Sequence, residues 1–128
     1  MFNSLELFQT AAAMASHAGS RQAVVARNIA HADTPGFKAQ HIPPFKDAYD
    51  ANSASDMRGT RSGHLSSGAT GKSQTMSSST QAEPSPNGNT VSLEDELLSS
   101  VAVSREHDRA LAIYRHGMTV LRTTLGRT

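Results

Sequence analysis

The sequence predicts a mainly α protein: two long terminal helices forming a hairpin, coiled-coil-like unit around a largely irregular, flexible middle. Three observations predict it. Apolar residues recur at steps of three and four along both ends of the 128-residue chain. Each of these runs closes on a helix-stop signal, Pro35-Gly36 for the first and Gly126 for the second. Between them, 25 of the 40 residues of 51–90 are Ser, Thr, Gly, Asn or Pro, too polar to offset the entropy of ordering them.

Residues 3–32 read as the first helix. Asn3 or Ser4 can cap its start, with Glu6 in the first turn, where the helix dipole favours an acid. Leu5, Phe8, Ala12, Ala15, Gly19, Gln22, Ala26 and Ile29 form a near-heptad line of mostly small residues, which lets a partner helix approach closely. A second line, Leu7, Ala11, Met14, Ala18 and Val25, lies beside it. Two adjoining lines imply contact with more than one neighbour. Thirty helical residues span roughly 45 Å.

The stretch 28–39, Asn-Ile-Ala-His-Ala-Asp-Thr-Pro-Gly-Phe-Lys-Ala, ends that helix. Pro35 disfavours the α conformation at Thr34. Pro35 and Gly36 suit the two centre positions of a type II turn, which needs positive φ at the second. Asp33 and Thr34 are placed to bond the backbone groups freed at the helix end. Pro43-Pro44 then imposes an extended path, along which Phe37, Ile42, Phe45 and Tyr49 are the large apolar groups able to pin the segment to the helices. In the middle, only Met57, Leu65 and Met76 are large and apolar.

Residues 91–125 read as the second helix. Thr90 or Ser92 caps it; Glu94, Asp95 and Glu96 fill the first turn; Arg115, His116, Arg122 and Arg127 crowd the far end. The main line is Leu93, Leu97, Ser100, Ser104, His107, Leu111, Tyr114, Met118, Leu121 and Leu125. Leu98, Val101, Ala102, Ile113 and Val120 widen it beyond what one partner needs.

Composition narrows the function. Hydrophobic residues are 37% of the chain, Trp is absent and aromatics are 5%, so a large self-contained core is not expected. Net charge is +1, which gives no footprint for nucleic acid. There is no cysteine, hence no disulfide framework or thiolate metal site. No secretory signal is visible: the first positive side chain is Arg21, and Ala11 to Ala15 is too short to span a membrane. Export without a cleaved signal is the expectation.

Gly68-Ala69-Thr70-Gly71-Lys72-Ser73 invites a phosphate-loop reading, but the pattern needs Gly where Ser66 stands and a strand before it. His107 and His116 are nine apart, on opposite faces of a helix, and His17, His31, His41 and His64 show no ligand spacing. No nucleophile elbow is present. The sequence therefore predicts no catalytic, cofactor or metal site.

The string 28–39 resembles the signature of the flagellar rod and hook protein family, the axial proteins of the bacterial flagellum. The matching positions include Asn28, Ile29, Ala30, Ala32, Asp33, Thr34, Pro35, Gly36 and Phe37; His31 departs from it, standing where the family usually has a second Asn. Residues 87–94, Asn-Gly-Asn-Thr-Val-Ser-Leu-Glu, and the ending Val120-Leu121-Arg122-Thr123-Thr124-Leu125 resemble the type that builds the proximal rod. His107 departs where an aromatic residue is common. The resemblance covers both ends, about half the chain.

It implies a structural subunit of the flagellar basal body, part of a helical assembly around an export channel, that transmits torque in flagellum-dependent motility. Implied partners are further copies of itself, rod proteins of the FlgC, FlgF and FlgG types, the FliE adaptor and membrane ring at the base, and the flagellar type III export apparatus, with the subunit lying on the periplasmic side of the inner membrane. Leu5, Phe8, Ile29, Leu97, Leu111, Tyr114, Met118, Leu121 and Leu125 would then form the assembly seam. Phe45 and Tyr49 would form an export-gate element, alongside the packing role read from the residues. The chain divides accordingly into 1–36, axial helix and turn motif; 37–90, irregular middle; and 91–128, second axial helix, with one domain built from both ends. The rival reading is a soluble coiled-coil adaptor or export chaperone, which explains the apolar lines but not the turn string.

Overall fold

A computed structural model describes residues 2–54, 78–79 and 83–126, and the side chains of 6–49 and 83–126. Met57, His64, Leu65, Gly68 to Ser73 and Met76, and the side chain of Leu5, lie outside the described residues. Helix α1 spans Phe2–Ala30, strand β1 Gln40–His41, helix α2 Phe45–Ala54, strand β2 Ser78–Ser79 and helix α3 Leu93–Thr124. The chain is therefore mainly helical, and α1 and α3 pack against each other along their length.

Their contact has a heptad logic. Ala11, Ala18 and Val25 are buried on α1, and Val103, Ala110 and Gly117 on α3, each set repeating every seventh residue. Met14, Arg21 and Asn28 occupy the alternate positions on α1 and are buried or half-buried. Most of these residues are small, so the backbones come close. At Gly117 a Cβ would lie 3.0 Å from Phe8 Cζ, so glycine is what lets the Phe8 ring lie on α3. Phe8 also meets Tyr114 edge-on, ring centres 5.2 Å apart. Farther along, Arg21 Nη1 bonds Glu106 Oε2 at 2.6 Å and Gln22 Nε2 donates to Ser100 Oγ at 3.1 Å. Phe8 facing Tyr114, Arg21 facing Glu106 and Asn28 facing Glu96 make the pair antiparallel.

The helix ends differ in detail from those the sequence predicts. Helix α1 begins at Phe2, with no acid in its first turn, so Asn3 and Ser4 lie inside the helix and Glu6 beyond that turn. Of the two candidate caps of α3, Ser92 serves, its side chain accepting from Asp95 N. Thr90 instead accepts from Ala39 N at 2.9 Å. At the far end Leu125 N donates to Leu121 O and Gly126 takes φ 66°, the left-handed stop that favours glycine.

One helix was not predicted. Residues 45–54, assigned to the irregular middle, form α2. Pro43-Pro44 does not extend the path past itself: Pro44 starts the helix, its carbonyl accepting from Asp47 N and Ala48 N. Proline costs nothing in a first turn, where its missing N–H would have no partner. Strands β1 and β2 pair antiparallel, Gln40 with Ser79 and His41 with Ser78.

Helix α2 lies against one flank of α1, where Phe45 meets His17. The other flank carries Phe8, Gln22 and Ile29 on α1 and Ser100, Tyr114 and Leu121 on α3, one position round from the buried heptad on each helix. In an antiparallel pair these positions fall on the same side, and the Phe8–Tyr114 and Gln22–Ser100 contacts join them.

Candidate functional site: a clasp between the two chain ends and an open apolar flank

Helix α1 ends in a tight bend. Phe37 N donates to Thr34 O at 3.3 Å, closing a four-residue turn around Pro35 and Gly36, and Gly36 takes φ 73°. A Cβ on Gly36 would meet nothing within 4 Å, so the requirement for glycine there is conformational. His31 stacks on Phe37, ring centres 4.6 Å apart.

The lead-in to α3 closes over this bend. Gly36 N donates to Asn87 O, Thr90 N to Phe37 O, and Lys38 Nζ to Gly88 O. Gly88, at φ 79°, brings its backbone against Gly36: a Cβ there would lie 3.5 Å from Gly36 Cα. The two strings 28–39 and 87–94, far apart in sequence, are the two halves of one structure.

Two buried asparagines hold it. Asn89 is 2% exposed. Its amide nitrogen donates to the carbonyls of His31, Ala32 and Thr34 at 2.7–2.9 Å, and its amide oxygen accepts from Val91 N at 2.7 Å. Among the described residues Ala32 O has no other donor, while His31 O and Thr34 O also accept from the backbone N–H groups of Thr34 and Phe37, so Asn89 completes the bend after the helix from the other end of the chain. Asn28, 1% exposed, donates to Gln40 O at 2.7 Å and Glu96 Oε1 at 2.8 Å and accepts from Gln40 N at 3.1 Å. Each amide both donates and accepts, which neither a carboxylate nor an aliphatic side chain can do.

Asn89 is the residue that sequence reasoning missed. Asp33 and Thr34 were expected to serve the freed backbone groups, but these are carbonyls and need donors, and an ionised Asp33 has none. Asp33 is exposed, and the Thr34 hydroxyl lies 3.2 Å from His31 Nδ1. The available signal was an amide between Gly88 and Thr90, just ahead of the second helix.

Apart from Leu5, whose side chain lies outside the described residues, the residues of the expected assembly seam share the open flank. Leu97 is 53% exposed, Tyr114 42% and Leu125 77%. Phe8, Ile29, Leu111, Met118 and Leu121 are half-buried. Leu93, Leu98, Val101 and Val120 are also exposed, so apolar side chains reach solvent on more than one side of α3, among exposed charges such as Arg105, Asp108 and Arg115. In both helices the line read as the main seam is rotated by one residue, about 100°, from the line that closes the hairpin. The hairpin closes on the small residues and leaves the larger ones outside.

Phe45 is half-buried between His17 and Tyr49, its ring centre 5.6 Å from each, and Tyr49 is 51% exposed. Among the described residues no three His, Asp or Glu side chains converge as metal ligands, and no helix is long and apolar enough to cross a membrane.

No family model matches the chain. The chain is similar to the flagellar basal body rod protein FlgB of Agrobacterium fabrum, 32% identical over 114 residues that cover 81% of each protein.

Proposed function

The chain belongs to the FlgB family of flagellar basal body rod proteins, and from that premise we propose that it is a non-catalytic building block of the proximal rod. The observation that carries this reading is the open flank. A hairpin that leaves Leu97, Tyr114 and Leu125 exposed beside half-buried Phe8, Leu111, Met118 and Leu121 has apolar surface for neighbours. Copies meeting head to tail through such a surface form an open helical array when the rotation between them does not close a ring. In that array the two terminal helices act as one folded unit, surround the export channel and pass torque along the rod.

The partners follow from this role: further copies of the chain, rod proteins of the FlgC, FlgF and FlgG types above, and the FliE adaptor and membrane ring below. The subunit reaches the periplasmic side through the flagellar type III export apparatus. Exposed Tyr49 and its neighbour Phe45 present a short aromatic pair to that apparatus. The clasp fixes the angle at which residues 37–44 leave α1 and so orients this pair.

The absence of native cysteine makes the test direct. Single cysteines at Leu111, Met118 and Leu125 should form cross-links to other rod subunits in isolated basal bodies. A cysteine at Arg109, on the other side of α3, serves as the control. Cross-linking from Arg109 alone would overturn the assigned face, and absence of the chain from basal bodies would overturn the function.

A further inference from the structure

His17 is 3% exposed, and both of its ring nitrogens lack a hydrogen-bond partner among the described residues. It lies where three elements meet. Helix α1 brings Arg21, one turn on; α3 brings Glu106; α2 brings the Phe45 ring, edge-on at 5.6 Å. Glu106 is already engaged, 2.6 Å from Arg21. Among the described residues, no charged group of α2 acts on the imidazole.

A neutral imidazole suits this place as an aromatic surface with one N–H. An imidazolium does not. It would bring a second N–H donor without an acceptor and a positive charge beside the Arg21 guanidinium. The attraction of an imidazolium for the Phe45 ring is the smaller effect, because two buried donors would stand unpaired. Of the elements around His17, α2 is the one able to yield: it is ten residues long and, among the described residues, packs against α1 alone. The α1–α3 contact is far longer, reaching from Phe8 and Gly117 at one end to Asn28 and Glu96 at the other.

We propose that His17 is a proton-operated latch on α2: neutral, it seats the Phe45 ring; protonated, it releases α2 from the hairpin and exposes Phe45. The latch stands on this packing alone and does not depend on what reads Phe45 and Tyr49. Burial, and after it Arg21, hold the His17 imidazole below its ordinary 6.5, with Glu106 pulling the other way. The released ring therefore binds a proton more readily than the docked one. Docking is fully stable above about pH 6.5 and weakens as pH falls through that value.

The test is amide exchange of residues 45–49 in the full chain, corrected for intrinsic rates, at pH 7.5 and 5.5. Protection there should fall, by up to about tenfold for each pH unit below the ordinary imidazole value, while Val103 and Ala110 stay protected. In His17→Phe the fall should vanish. Should that variant not fold, His17→Leu takes its place. In the wild type, the His17 Cε1–H resonance should titrate together with the loss of protection. Equal protection of 45–49 at both pH values, no protection at pH 7.5, the same fall in the variants, or a His17 titration separated from the loss would each overturn the latch.

Discussion

The clasp end and the open flank of the hairpin use opposite chemistry. At the clasp, buried amides take their partners from within the chain, and Asn28 and Asn89 leave no amide group unmet. Along the open flank, Leu97, Tyr114 and Leu125 stay in solvent. Hydrogen bonds are directional and costly to leave unmade when buried, so the clasp specifies one geometry. Apolar contact is not directional and scales with area, so it suits a surface whose partners arrive later. A subunit that must hold one angle within itself and join many neighbours outside needs both.

This contrast can be broken from the clasp side, where the largest effect is expected. Asn89→Asp places a carboxylate against three helix-end carbonyls. An unpaired buried charge costs about 3–5 kcal/mol, enough that circular dichroism should show a much lower melting temperature or loss of the hairpin. Asn89→Leu should fall between that variant and wild type, because Ala32 O loses its donor and His31 O and Thr34 O lose one of two, but none meets a charge.

Gly36→Val comes next. The site has room for the side chain, but a β-branched residue at φ 73° is strained by about 1–3 kcal/mol. The chain should still be made and exported, while the segment after α1 is re-aimed and entry into the rod fails. Normal basal bodies in that strain would show that the bend is not needed for assembly. Gly117→Ala costs about 1–3 kcal/mol through overpacking against Phe8, offset by about 1 kcal/mol that Ala gains over Gly inside a helix. A net loss of up to about 2 kcal/mol is therefore expected in urea unfolding. The smallest effect is expected from deleting 66–80, which removes Met76 as its one large apolar residue and the short pairing with β1. Swimming on soft agar should survive at least in part.

The same contrast explains what was legible in the sequence. Helix ends were readable where their signals are local: Ser92 as cap, Gly126 as stop, Pro35-Gly36 as bend. The hairpin's inner face was legible on α1, where it is the second apolar line, Ala11, Met14, Ala18 and Val25, but not on α3. On α3 large apolar residues dominate a periodicity reading, and here they line the flank, while Val103, Ala110 and Gly117 close the core. Small residues carry little hydrophobic signal, but their spacing by sevens was on the page. Helix α2 was hidden by Pro43-Pro44, read as extension rather than as a helix start. Asn89 was hidden because its carbonyl partners lie 55–58 residues away.

The central claim is that the open flank joins subunits and is not needed to hold the hairpin. Met118→Asp tests it most directly. Met118 is half-buried on that flank, next to the buried heptad position Gly117. The variant should keep its helix content and leave the cytoplasm, yet be missing from purified basal bodies, since a carboxylate buried between subunits without a partner is too costly to keep. Immunodetection in the cytoplasmic, periplasmic and basal-body fractions reads the outcome. Met118→Asp protein in basal bodies at the wild-type level would contradict the account.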